Sequence, residues 1–258
     1  METQITTEIK DRIGYITLNK PEKRNALNAE MVADLKKALN KMAASDKAKV
    51  IVIRAAGKVF CSGADLASLQ ALQSNTYEEN LQDSKSLKEL FHLIYTLPKV
   101  VIAEIQGHAL AGGCGLATVC DFSFSVPEAK FGYTEVRIGF VPAIVKVFLL
   151  RKIGEGKSKE LLLGADLIEA ETAKDYGLIN TVVEAENLTS EVYDFAQKLI
   201  NQNSGHAMGL TKQMIAEVQG MDLTEGLEHA AKINAKARGT EDCQKGIAAF
   251  LNKEKINW

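Results

Sequence analysis

Several signatures are missing from this chain of 258 residues, and each absence removes a class of function. The four cysteines, Cys61, Cys114, Cys120 and Cys243, form no CxxC pair and no zinc spacing. They read as small buried or half-buried thiols in a reducing compartment. No cluster of His, Cys, Asp or Glu has metal-ligand spacing, so no metal is expected. Neither GxGxxG nor GxxxxGK[ST] occurs, which removes the dinucleotide and P-loop readings. No apolar run approaches the roughly 20 residues that span a bilayer. Met1-Glu2-Thr3-Gln4 opens no basic, apolar signal segment, so a cytoplasmic protein without membrane partners is expected. Charge of one sign is also lacking: 31 Lys and Arg face 33 Asp and Glu, a net of −2. That balance gives no electrostatic case for nucleic acid.

The composition that remains, 46% apolar and 25% charged, is ordinary for a globular protein. The length allows one large domain, or one with a small appendage. Residues 4–19 read as two strands joined at Lys10-Asp11-Arg12. Asn28 caps a helix whose Met31, Val32, Leu35, Leu39 and Met42 share one face. Val50–Arg54 and Val100–Ile105 read as buried strands. Gly57–Gly63 is a loop, with a helix opening at Ala64. Residues 76–97 suit a helix ended by Pro98. Gly107 to Gly113 is a glycine-punctuated turn before a helix over Cys114–Val119. Phe122–Val126, Lys130–Phe131 and Ile179–Val183 read as strands, 143–163 as a helix broken near Gly154, and Ala170–Tyr176 as a short helix. Beyond about residue 187 the pattern is helical throughout. An α/β core over 1–190 followed by a helical region over 191–258 is the expected organisation.

Two glycine-containing turns, each after a buried strand and about fifty residues apart, carry the chemical signal. Glycines permit close backbone approach, and the first amides of a helix lack intrahelical partners. Two N–H groups from different loops are what a thioester carbonyl needs as it becomes an enolate. Preorganised donors of this kind lower a barrier by roughly 3–4 kcal/mol each.

The two turns, Ser62-Gly63-Ala64-Asp65 and Ala111-Gly112-Gly113, resemble the oxyanion-hole segments of the crotonase (enoyl-CoA hydratase/isomerase) superfamily. Pro21-Glu22-Lys23-Arg24-Asn25-Ala26-Leu27-Asn28 is similar to its CoA-binding signature. Cys120-Asp121, Phe131-Gly132-Tyr133-Thr134-Glu135, Gly139-Phe140-Val141-Pro142 and Gly164-Ala165-Asp166 through Tyr176-Gly177-Leu178-Ile179 extend the resemblance over roughly residues 5–255. It implies a spiral of ββα units with a C-terminal helical trimerisation region, and trimers that commonly pair into hexamers. It implies an acyl-CoA substrate and no separate cofactor. The amides of Ala64 and Gly112 would form the oxyanion hole, with Glu135 as acid/base. Arg24, Ala26, Leu27, Ala64, Asp65 and Leu66 would lie along the CoA, and Gly112, Gly115 and Tyr133 would border the acyl group.

Gly115 departs from the two-glutamate hydratases, which carry a second carboxylate at this position. The missing side chain is expected to leave room for a water or a bulkier acyl group. A one-glutamate hydratase and a 3-enoyl-CoA to 2-enoyl-CoA isomerase both remain open, as does a non-catalytic acyl-CoA-binding protein. The segment after Pro142 lacks the glycine-rich stretch of many short-chain hydratases. It looks more like the branch acting on 3-methylglutaconyl-type substrates in leucine and terpenoid breakdown. There a second substrate carboxylate would meet Arg137 or Lys146. His108 is expected to hold a backbone contact, and Asp121 to pin a strand. Cys114 sits near a helix start, where a thiol pKa can fall, but its neighbours look apolar and the resemblance implies no nucleophile there.

Overall fold

The computed structural model describes residues 3–258. It opens with a hairpin of β1 (Ile5–Lys10) and β2 (Ile13–Leu18), turned by Asp11 and Arg12, both at positive φ. Such paired positive φ values match the right-handed twist of the flanking strands. Asn28 then caps α1 (Ala29–Ala44) by accepting the Met31 N–H at 2.8 Å. The predicted stripe from Met31 to Met42 is buried. β3 (Val50–Ala55) and β4 (Val100–Ile105) are separated by α2 (Leu66–Ala71) and α3 (Tyr77–Thr96). β4 is buried along its whole length, as its largely apolar run, interrupted only by Glu104, suits a sheet covered on both faces.

Next come β5 (Ala109–Leu110), α4 (Gly112–Val119), β6 (Phe122–Ser125), β7 (Lys130–Gly132) and α5 (Ala143–Gly164), kinked at Gly154. β8 (Ile168–Glu169), α6 (Ala170–Asp175) and β9 (Thr181–Val182) complete the strands. Four helices follow: α7 (Leu188–Gln202), α8 (Gly205–Val218), α9 (Leu223–Arg238) and α10 (Glu241–Asn252). The larger sheet has the order β1-β2-β3-β4-β6-β9, parallel from β2 onward. The smaller has the order β5-β7-β8. α7 buries Leu188, Val192, Ala196 and Ile200 in the same core as the larger sheet. α9 and α10 bury no residue at all. No helix among the described residues is long and apolar enough to cross a membrane.

The structure shifts some sequence-derived boundaries. Ala64 does not open a helix, because it bridges to Leu27 in extended pairing; the helix starts at Leu66, capped by Asp65. β5 and β8 are two residues long, too short for a periodic pattern to reveal. The 179–183 strand shrinks to two residues, since β6 offers it only Phe124 and Ser125 as partners.

Buried and half-buried lysines close helix C-termini, where the last carbonyls have no intrahelical donor. Lys49 Nζ donates to Ile200 O and Asn203 O at the end of α7. Lys152 Nζ donates to Thr118 O and Cys120 O at the end of α4. Lys99 Nζ reaches Met42 O, Ser45 O and Ala48 O at 2.7–2.8 Å, beyond the end of α1. Lys99→Met is expected to lower unfolding free energy by about 2 kcal/mol, the scale of lost hydrogen bonds from a charged donor. Urea unfolding monitored by circular dichroism checks it.

Candidate active site

Three loops leave the C-terminal ends of β2, β3 and β4, where parallel sheets commonly bind ligands. Backbone hydrogen bonds lace them together. Phe60 N and Cys61 N donate to His108 O, and Leu110 N donates to Cys61 O. Ser62 N donates to Arg24 O, Leu27 N to Gly63 O, and Asp65 N to Leu27 O. Asn25, buried and at φ 53°, reinforces the set. Its Nδ2 donates to Ala56 O and Val59 O, and its Oδ1 accepts from Lys20 N. Sequence reasoning gave Asn25 no role; its place inside the Pro21–Asn28 signature was the available signal.

Glycine makes this approach possible at two points. A Cβ on Gly107 would stand 2.0 Å from Lys58 O, and one on Gly113 2.2 Å from Cys61 O. The result sets Gly63 against the start of α4. A Cβ on Gly63 would lie 3.2 Å from Gly112 N. Among the described residues, the N–H groups of Ala64 and Gly112 have no acceptor. The two free donors lie on neighbouring loops, Ala64 being exposed and Gly112 half-buried. Ala111 enters α4 at φ 49°, ψ −123°, a conformation that costs an L-residue about 1–3 kcal/mol. Its N–H donates to Gly132 O at 2.8 Å, which ties the turn to β7.

The same tie delivers Glu135. β7 pairs Gly132 with Leu110, and a single 3-10 turn, Glu135–Ile138, follows three residues on. Glu135 is half-buried, and its Oε2 is buried without a hydrogen-bond partner. Burial raises its pKa above the ordinary carboxylate value.

Gly115 is buried, and the space a side chain would fill is occupied. A Cβ there would lie 2.4 Å from Val145 Cγ1 and 3.0 Å from Phe91 Cε2. The expected room for water is closed by Val145 from the first turn of α5. Tyr133 is fully buried behind α4, its hydroxyl 2.8 Å from Thr118 Oγ1. Ala26 and Leu27 are buried beside the site, while Arg24 and Leu66 are exposed along it. Asp65 Oδ1 accepts from Ala67 N and Ser68 N as the cap of α2. His108 Nδ1 accepts the Lys130 N–H, the backbone contact expected of it. Asp121 Oδ2 accepts from Val101 N and Lys212 Nζ, pinning β4. The Cys114 thiol is pushed up to about 11 by burial, in line with its apolar neighbours. Arg137 is paired with Asp166 at 3.0 Å. A separate cavity of about 950 Å³ lies between α8, α10 and the sheet rim, and none of Glu135, Ala64 and Gly112 lines it.

Residues 8–258 match the family model described as enoyl-CoA hydratase/isomerase. A Thermus thermophilus protein carrying an enoyl-CoA hydratase name is 41% identical over 244 residues, 95% of this chain and 96% of that one. The crotonyl-CoA hydratase of Syntrophomonas wolfei is 33% identical over 98% of this chain and 97% of its own. The crystal structure of an enoyl-CoA hydratase from Mycobacterium smegmatis superposes with a TM-score of 0.93 at 27% identity, covering 100% of this chain and 99% of that one. The ββα repeats and C-terminal helices are shared with such structures.

Gly113→Ala is expected to push α4 away from Cys61 and lower stability by about 1–3 kcal/mol, the usual scale of overpacking. Thermal unfolding checks the loss. Isothermal titration with CoA thioesters is expected to show weakened binding in the same variant.

Proposed function

The chain belongs to the enoyl-CoA hydratase/isomerase family, and from that membership we propose that it adds water to an α,β-unsaturated acyl-CoA with a single carboxylate. The reading is supported by the groups left unpaired on these linked loops. The N–H groups of Ala64 and Gly112 have no acceptor, and the unpartnered Oε2 of Glu135 belongs to the segment that follows β7, which pairs with the Gly112 turn. In this mechanism the thioester oxygen accepts from both amides. Glu135 takes a proton from water as the water oxygen bonds to the β carbon. The electrons move onto the thioester oxygen, where the two donors stabilise the enolate. The protonated Glu135 then returns its proton to the α carbon, so the net change is one added water. A raised carboxylate pKa suits a group that must both take and return a proton near neutrality.

Arg24, exposed in the Pro21–Asn28 segment, is assigned to the CoA phosphates. Ala26, Leu27, Asp65 and Leu66 are assigned to the path of the CoA. A 3-methylglutaconyl-type substrate would bring a second carboxylate. Lys146 is the cation assigned to it, because Arg137 is already held by Asp166. The exposed Leu223, Leu227, Phe250 and Leu251 of α9 and α10 support a trimer contact in the 191–258 region, with trimers pairing to hexamers. Isomerisation is the second reading, favoured by the closed space at Gly115, which leaves no second carboxylate to orient water.

Glu135→Gln is expected to lower kcat by about 10³-fold while CoA-thioester binding persists. Mass and double-bond position of products from crotonyl-CoA, 3-methylglutaconyl-CoA and a 3-enoyl-CoA separate the readings. Gain of one water supports hydration; an unchanged mass with a shifted double bond means isomerisation. Full activity in Glu135→Gln would sink the assignment.

The pH dependence follows from the raised pKa of Glu135. Its folded value lies above its unfolded one, so the folded state binds more protons between them. Stability therefore falls as pH rises through that window. At neutral pH Glu135→Gln is expected to melt at the same temperature as the parent or higher. The acidic limb of the kcat/KM profile is expected above the usual carboxylate range, and pH–rate measurements check it.

A further inference from the structure

We propose that Val145 is the specificity-determining residue that holds this site to one carboxylate, by filling the place where a side chain at position 115 would stand. The inference rests on the one-carboxylate reading of the site and names the residue that enforces it. Gly115 lies one turn into α4, three residues past the free Gly112 amide. A Cβ built on it would meet Val145 Cγ1 at 2.4 Å, Val145 Cβ at 3.2 Å and Phe91 Cε2 at 3.0 Å. The 2.4 Å contact demands that something move.

Val145 is not free to do so, whereas Phe91 need give only a few tenths of an ångström. Val145 is 4% exposed, and a β-branched side chain in a helix has essentially one χ1 rotamer. Phe91 is fully buried, and its ring packs edge-on against Phe148 at a centroid distance of 6.2 Å. Position 115 therefore accepts no side chain while Val145 is present. The two positions form one steric unit, in which a branched residue on α5 occupies the volume that α4 leaves vacant. The wall beside the acyl group is apolar at this point, and a second carboxylate is kept out by volume. Restoring that carboxylate needs two changes at once.

A double-mutant cycle tests the steric unit without any turnover. Gly115→Ala alone is expected to lower the melting temperature, and Gly115→Ala with Val145→Gly to melt above the sum of the two single effects. Additive losses would overturn the coupling. The chemical consequence is tested with Gly115→Glu in the Val145→Gly background, on crotonyl-CoA. Hydration is expected to gain about tenfold or more in kcat over Val145→Gly alone, with little change in KM. The pH–rate profile is expected to gain a second carboxylate limb, which a merely structural repair would not produce. An unchanged kcat with a single limb would overturn the assignment of Val145. A parent without hydratase activity would count against the proposed function instead, and the melting cycle would still report on Val145.

Discussion

The close packing of three loop backbones is the constraint on which the rest depends. Backbone hydrogen bonds join the loops after β2, β3 and β4, and they form only because Gly107 and Gly113 carry no side chain against Lys58 O and Cys61 O. Such bonds use donors and acceptors that would otherwise be unpaired in a half-buried region. Once they are made, the remaining freedom is small. Leu27 bridges Ala64, Ala111 is drawn to Gly132, and the N–H groups of Ala64 and Gly112 are left over. The free donors are thus a by-product of satisfying everything around them.

The satisfied and unsatisfied groups are distributed unevenly. Lys49, Lys99 and Lys152 each place a cation on helix carbonyls, and Lys212 pairs with Asp121. Burial is tolerated there because several acceptors compensate each charge. Around Glu135 the arrangement is the opposite: one buried oxygen has no partner, and Ala111 sits in a conformation more natural to glycine. Gln4, Glu104 and Gln106 also carry a buried oxygen without a partner, so it is the raised pKa of Glu135 together with the unpaired oxygen that sets that carboxylate apart. Stability contributed elsewhere in the core offsets the cost of such groups.

Legibility differed by element. The stripe of α1, the Asn28 cap, the buried runs of β3 and β4, the stop at Pro98 and the break at Gly154 were all readable, because each is dictated by neighbours in the chain. The short strands β5, β8 and β9 were missed or misjudged, since two paired residues leave no period to detect. Among site residues, the two glycine turns and Glu135 stood out by motif. Asn25 did not, because its three hydrogen bonds run to residues five and more than thirty positions away. The environment of Gly115 was misread: a missing side chain was taken for open space, and a residue thirty positions later fills it.

What the sequence determined by itself is local and chemical: which segments are helices and strands, which turns carry glycine, and that position 115 carries no side chain. Periodicity, capping and side-chain identity act over a few residues, so they can be read along the chain. Tertiary structure alone decided which amides remain unpaired, how deeply Glu135 is buried and what stands against Gly115. Those properties are set by the volume and hydrogen bonds that distant segments bring to one place. No local pattern encodes that Val145 and Gly115 share a single space; the packing of α5 on α4 does.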